Sequence, residues 1–336
     1  MPKIKETITI SVARDQAKNK DALGALACAE SIKKALINRG FNASYSFIDK
    51  KDFLDPQGLK EKVNKNNPVC IFNLFEGFCD DSAKEAEFVK VLEASGIPFT
   101  GNPSAALEIC LNKQKVKNIL RRNKIPVPAG IFIDKTRSLD IEAFNFPLFI
   151  KPCFQDASVG IEEDCLVLKK EELLKTINSK LKRFPKGVLV EEFIDGKEYN
   201  AAFLGSFPYE LLGIGKLDYQ RHENLTPFLT YASKWEEAAP EFKKLVFSPC
   251  LEISDSLKDE IVGLSQRAAE ALGCSGYFRV DFREKNNRLS ILDVNPNPDI
   301  NPDSGFISQA RRKGYSYIGI LEKILELKHK TSEALK

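Results

Sequence analysis

FRVDFREKNNRLSILDVNPNP, residues 278–298, decides how the chain is read. Phe278, Val280 and Phe282 alternate with Arg279 and Asp281, and a period of two sends the two sets to opposite faces of a strand. Asn286-Asn287 is a turn signal, because asparagine tolerates positive φ. Beyond it, Leu289, Ile291, Asp293 and Asn295 share one face of a returning strand. With Asn286, Asn287 and Arg288 as a three-residue loop, Asp281 comes opposite Asp293 and Arg279 opposite Asn295. Like charges facing each other across a sheet are unfavourable. A hard divalent cation removes that penalty, and two carboxylates with an amide oxygen suit Mg²⁺. A two-residue loop would turn Asp293 to the other face. The plain alternative is a surface hairpin with its acids in water. The apolar residues around Asp293, and the polar, proline-rich NPNPDINPDSG that follows, favour ligand contacts instead.

Around this hairpin the C-terminal part reads as mixed strands and helices. A helix is expected at residues 256–272, with Leu257, Ile261, Leu264, Ala268 and Leu272 on one face and Gly273 as its stop, and a final helix at 316–328. Further upstream, PLFIK (147–151) and GVLVEEF (187–193) are strand-like and flank a helix at 170–183. Residues 104–122 are helical, broken or re-capped near Asn112, and the IPVP of 125–128 forces an extended exit. The first hundred residues alternate: strands at 7–12, 41–48 and 69–74, helices at 22–39 and 82–94, and another strand starting at 97–100. That alternation argues for a parallel sheet covered by helices. The fold class is therefore α/β followed by α+β, in three units at 1–108, 109–194 and 195–330.

Composition narrows the function. Fifty Lys and Arg against 47 Asp and Glu leave a net charge of +3, which weighs against nucleic acid as the main partner. No apolar run approaches the length of a membrane span, and the N-terminus lacks a signal-peptide pattern, so a cytoplasmic chain is expected. The eight cysteines form no Cys-x-x-Cys pair and only His222 and His329 are present. A structural zinc site, a disulfide framework and a histidine-activated nucleophile are all disfavoured. Most of the cysteines are expected to be small buried hydrophobes.

Motifs along the chain match a known family in order and spacing. Arg279-Val-Asp281 with Leu292-Asp293-Val-Asn295-Pro resembles the metal-binding end of ATP-grasp enzymes, in particular the D-alanine–D-alanine ligase group. Ile97-Pro-Phe-Thr-Gly101, Asn112-Lys113, Ile125-Pro-Val-Pro128, Lys151-Pro152, Ser158-Val159-Gly160, Glu191-Glu192-Phe193-Ile194, Glu198 and Tyr231-Ala-Ser-Lys234-Trp235 resemble the same group. The resemblance covers residues 69–328. It implies an ATP-grasp fold with an N-terminal Rossmann-like domain, a small central lid and a larger C-terminal subdomain. It also implies an ATP-dependent carboxylate–amine ligase working through an acyl phosphate, with ATP and Mg²⁺ or Mn²⁺ as cofactors and amino acids as substrates. A homodimer through the N-terminal unit is common among such enzymes.

Carried over residue by residue, the resemblance makes Lys113 and Lys151 the phosphate clamps and Ser158 and Val159 part of a phosphate loop. Lys151 follows the apolar PLFI, where a solvated lysine is unexpected. The loop itself, QDASVGIEED, holds one glycine and is weak evidence without the family. Glu191, Glu192, Phe193 and Ile194 form the adenine hinge, and Glu198 is the ribose carboxylate. Asp281, Asp293 and Asn295 are the metal ligands. Arg279 steadies the tetrahedral oxyanion, and Lys234 and Ser304 hold the acceptor's carboxylate.

Glu76 in NLFEG (73–77), Trp235 and Asp299 are the candidate substrate-side residues. Two departures count against a simple D-alanine assignment. The N-terminal strand runs into SVARDQAKNKDA without the family's glycine-rich turn and glutamate, leaving Asp15 or Asp21 as substitutes. Asp299 replaces a usual glycine, and Trp235 stands where tyrosine is common. Two other readings stay open: an ATP-grasp enzyme amidating a peptide or natural-product carboxylate, and a nucleotide-binding protein without catalysis.

Overall fold

The N-terminal alternation produces a parallel sheet. The computed structural model describes residues 6–14, 20–78, 80–136, 140–217, 219, 226–236, 238–239, 242, 248–250 and 252–328, with the backbone alone for 20–23, 235 and 249. Strand β1 (Thr7–Ala13) is followed by α1 (Lys20–Arg39) and β2 (Asn42–Ile48), then by α2 (Pro56–Asn64) and β3 (Cys70–Asn73). β1 lies between β2 and β3 and runs parallel to both. Helix α2 is absent from the reading above. Asp55 accepts the Gly58 N–H at its N-terminus and Pro56 opens it, both ordinary start signals.

Next comes α3 (Lys84–Ser95), which ends on Gly96 at φ +80. The strand expected at 97–100 makes a single bridge, Phe99 to Ile71. Pro98 has no N–H to give a ladder, and Gly101, at φ +100, turns the chain away. Leu59, Val63, Ile71, Phe75, Phe88 and Leu92 pack together on this side.

Helices α4 (Ser104–Leu111) and α5 (Lys113–Arg122) lead out of the first sheet, re-capped at Asn112, whose side chain accepts the Lys115 N–H. An antiparallel sheet follows, built from β4 (Gly130–Ile133), β5 (Leu148–Pro152), β6 (Leu166–Val167) and β7 (Val188–Glu192) in the order β4-β7-β5-β6. Helix α6 (Lys170–Arg183) buries Leu173 and Ile177 against it.

The third sheet comprises β8 (Lys197–Gly205), β9 (Glu210–Leu217), β10 (Ser248–Pro249), β11 (Gly276–Lys285) and β12 (Arg288–Pro296), in the order β10-β9-β8-β11-β12. Between its strands lie α7 (Tyr231–Trp235) and α8 (Asp255–Leu272); α9 (Gly305–Arg312) and α10 (Tyr317–Glu326) close the chain. Alternate residues of β8 serve two cores. Ala201 and Phe203 pack with Phe278, Phe282 and α8, while Ala202 and Leu204 join α9, α10, α1 and the first sheet. No helix among the described residues is long and apolar enough to cross a membrane.

The β11–β12 hairpin differs from expectation in one respect. Lys285 pairs with Arg288, so the loop is two residues, Asn286 and Asn287, at φ 53 and 58. Positive φ at both central positions is what the twist of a tight hairpin demands. That loop would have turned Asp293 away, but a β-bulge at Leu292 adds one residue to β12. Phe282 pairs with Ile291, and from Asp281 onward the count shifts: Asp281 faces Asp293 and Arg279 faces Asn295. Leu289 and Ile291 consequently join the α8 core, while Asp293 and Asn295 share the opposite face with Asp281. The four do not share one face as the sequence alone suggested.

Candidate active site

The charged residues singled out in the sequence gather where the four-stranded sheet meets the bulged hairpin. Lys113, the first residue of α5, donates from Nζ to Asp293 at 2.9 Å and to Asp156 at 3.1 Å. Its side chain is 8% exposed. Burial opposes its charge, but the Asp293 and Asp156 carboxylates outweigh burial and raise its pKa. For Asp293, burial favours the neutral form, yet Lys113 and Lys151 hold the carboxyl below its usual range. Lys151, on β5, pairs with Glu191 at 2.9 Å, and Lys117, one turn beyond Lys113, pairs with the other oxygen of Glu191 at 3.0 Å. Burial and the like charge of Lys151 push Lys117 down to about 8 against the pull of Glu191. Glu191 therefore turns its side chain onto two buried lysines.

The loop after β5 closes over this cluster. Ala157 and Ser158 take φ 51 and 64, and Gly160 takes φ +78. A Cβ on Gly160 would stand 2.5 Å from the Phe184 ring and 2.7 Å from Pro152, so only glycine fits. The buried Lys180 donates to the Gly160 carbonyl at 3.0 Å and pairs with Asp164. Ser158 Oγ accepts from Lys234 at 2.8 Å, and the Val159 N–H donates to the Asp156 carbonyl at 2.9 Å. Burial and then Arg279 lower the pKa of Lys234, while Asp281, Glu198 and Asp293 oppose them. One electrostatic field thus spans the loop and the hairpin.

Beyond β7, Phe193 lies among aromatic rings, 6.1 Å from Phe149 and 6.3 Å from Phe228 between centroids. The Ile194 carbonyl accepts from Arg283 at 2.8 Å. Glu192 is exposed and its backbone N–H donates to Ala129. Glu198 is gripped through one oxygen by Arg283 Nε and Nη2 at 3.1 and 3.0 Å and by the Tyr219 hydroxyl at 2.9 Å. Arg283 also lies 4.9 Å above the Phe193 ring.

Asp281 is held by Arg279 through two N–H bonds of 2.7 and 2.8 Å and by Asn295 Nδ2 at 2.9 Å. Among the described residues no group of three or more His, Cys, Asp or Glu is disposed to hold a metal ion. Two carboxylates on one face of a sheet, with the Asn295 amide beside them and a cation on each, are a donor set that fits Mg²⁺. That ion takes one or two carboxylates and leaves its other positions to water and phosphate.

Ser304 caps α9, accepting the Ile307 N–H at 3.3 Å and keeping its own hydroxyl proton to donate. Glu76 is exposed at a turn whose Gly77, at φ +83, would meet the Ser82 backbone with any side chain. Asp299 is exposed and accepts both the N–H and the Nδ2 of Asn301 at 2.8 Å. The side chains of Trp235 and Asp21, and Asp15, His222 and His329 entirely, lie outside the described residues. Of the described cysteines, all are free and all but Cys250 are buried.

Sequence reasoning missed Lys117, Asp156, Arg283 and Tyr219. Lys117 alone carried a signal, since Lys113, Val116, Lys117 and Leu120 form one buried stripe of α5.

Comparisons with known proteins identify the family and the fold. The D-alanine–D-alanine ligase of Pelagibacter ubique (strain HTCC1062) is 29% identical over 317 residues, 92% of this chain and 94% of that protein. That of Carboxydothermus hydrogenoformans is 28% identical over 313 residues, covering 90% and 92%. The structure of the Bacillus anthracis D-alanine–D-alanine ligase complexed with ATP superposes with a TM-score of 0.74 at 21% identity, over 96% of this chain and 97% of that one. The fold is the ATP-grasp fold. A family model, D-ala D-ala ligase C-terminus, matches residues 131–326, more than half of the 336 residues, and the chain belongs to that family.

Proposed function

We propose that the chain is an ATP-dependent ligase that joins the carboxylate of one amino acid to the amine of a second through an acyl phosphate, releasing ADP and phosphate. The observation that carries this reading is that Lys113 and Arg279 sit on the Asp293 and Asp281 carboxylates, with Lys151 on the adjoining Leu292 carbonyl and Lys234 on Ser158 of the facing loop. Phosphoryl transfer spreads charge over the peripheral oxygens, and cations fixed in advance lower its barrier without having to reorient.

In this reading Lys113 exchanges its carboxylate partners for nucleotide phosphates, Lys151 turns its remaining N–H to them while keeping Glu191, and Ser158 and Val159 close the loop over them. Adenine lies at Glu191 to Ile194 beside Phe193, with the free oxygen of Glu198 turned to the ribose. Asp281, Asp293 and Asn295 would hold Mg²⁺ or Mn²⁺, which supplies charge neutralisation to the phosphates. Arg279 stabilises the oxyanion that develops when the amine attacks the acyl phosphate. Lys234 and the Ser304 hydroxyl hold the acceptor's carboxylate, while Glu76, Trp235 and Asp299 border the substrates. A homodimer through the N-terminal unit, where exposed Ile37 lies beside half-buried Leu26, Tyr45 and Phe47, belongs to this reading, and a monomeric mass in sedimentation would count against it.

A panel of D- and L-amino acids, followed by ADP release with Mg²⁺, tests the proposal. One amino acid or pair should stimulate release, and Asp293→Ala should abolish it. No stimulation by any member, or an Asp293→Ala variant as active as the parent, would overturn it.

A further inference from the structure

The bulge at Leu292 brings Asp293 opposite Asp281, and it is not held by the sheet alone. β12 is the edge strand, so its outward backbone groups have no ladder partner. Groups from other elements take that side. The Ile291 N–H donates to the Pro126 carbonyl at 2.9 Å. Lys117 Nζ donates to the Ile291 carbonyl at 3.3 Å, and Lys151 Nζ donates to the Leu292 carbonyl at 3.4 Å. The two ammonium groups sit on either oxygen of Glu191.

We infer that Lys117 is a positioning residue for the metal-binding carboxylates. By fixing the bulged dipeptide from outside, it sets the register in which Asp293 faces Asp281. The inference rests on the proposed metal role of Asp281, Asp293 and Asn295. Its side chain is 2% exposed and shares a stripe of α5 with Val116 and Leu120, where an apolar residue would pack as well. Burying an ammonium there is unfavourable unless its partners compensate. Those partners are Glu191, which Lys151 already balances, and the Ile291 carbonyl. Charge balance alone therefore does not require Lys117, whereas the bulge carbonyl does.

The test is Mn²⁺ binding to the full-length chain with ADP present, read as free Mn²⁺ by electron paramagnetic resonance, beside ADP affinity without metal. Lys117→Met should weaken Mn²⁺ binding about 10–100-fold, the usual range when a group that orients a metal ligand is lost. Metal-free ADP affinity should hold within about threefold, roughly 0.7 kcal/mol. Lys117→Arg, which keeps both charge and donors, should restore much of the Mn²⁺ affinity. Unchanged Mn²⁺ affinity in Lys117→Met, or equal losses of Mn²⁺ and metal-free ADP binding, would overturn the inference. If Lys117→Met does not fold, Lys117→Gln decides by the same criteria. Mn²⁺ uptake by the parent but not by Lys117→Met supports the inference. No uptake by the parent overturns the metal site, and the inference with it.

Discussion

Arg283→Met leaves a carboxylate behind in a place built for an ion pair. Arg283 and Glu198 have side chains 3% and 12% exposed, and two guanidinium N–H groups converge on one Glu198 oxygen. The same guanidinium also bonds the Ile194 and Pro227 carbonyls. Breaking a buried pair from one side destabilises by about 3–5 kcal/mol, because the remaining charge is uncompensated. For 336 residues the unfolding entropy is about 0.7 kcal/mol/K, so the midpoint should fall by roughly 4–7 °C. Adding Glu198→Gln should recover more than half of that loss, since an amide needs no counter-charge. The assay is thermal unfolding of the parent, both single variants and the double variant, with affinities for ATP and 2′-deoxy-ATP measured alongside. If Glu198 takes the ribose, the parent should prefer ATP by about 10–100-fold, the worth of a hydrogen bond to a charged group. That preference should shrink in every variant lacking the carboxylate. A double variant as unstable as Arg283→Met alone would refute the argument that the stranded charge carries the cost.

Deleting Leu292 removes the unpaired residue and leaves Asp293 directly after Ile291, still opposite Asp281 and on the face away from α8, so Mn²⁺ binding with ADP should survive; its loss would mean that the bulge itself, and not only the register, shapes the site. Glu85 offers a test by pH. Burial and the neighbouring Glu76 push its carboxyl up to about 8, although Asn297 donates to it. A raised carboxyl contributes stability fully below pH 4.5, and that contribution is lost as the pH climbs through about 8. Glu85→Gln, neutral throughout, should therefore gain in midpoint over the parent as pH rises across that window; a difference independent of pH would contradict the shift.

The legible parts of the fold were those specified by local pattern. Helix α6 spans Lys170–Arg183 as read, and the strands of the bulged hairpin lie within a few residues of expectation. The bulge was illegible for a physical reason: an extra residue is defined only against a partner strand, and one strand's sequence has no partner to count against. The short α2 and α9 escaped although Asp55 with Pro56, and Ser304, are start signals, because each helix has too few turns for its period to stand out. In the candidate site, Lys113, Lys151, Asp281, Asp293 and Asn295 were singled out through motifs. Asp156 and Tyr219 were not, since what makes them notable is spatial: Asp156 reaches Lys113 across 43 positions and Tyr219 reaches Glu198 across a sheet. Glu191 was read as part of a hinge, and its side chain's engagement with two lysines depends on which face of β7 is covered.

In the proposed mechanism the γ-phosphoryl group passes to a carboxylate before the amine attacks. Oxygen labelling tests it most directly. The donor amino acid selected by the substrate panel would be supplied with ¹⁸O in its carboxylate, and the released phosphate examined by mass spectrometry. An acyl phosphate leaves one labelled oxygen from each donor in inorganic phosphate alongside ADP. Label recovered in AMP, or phosphate free of label while the amide forms, would contradict the account.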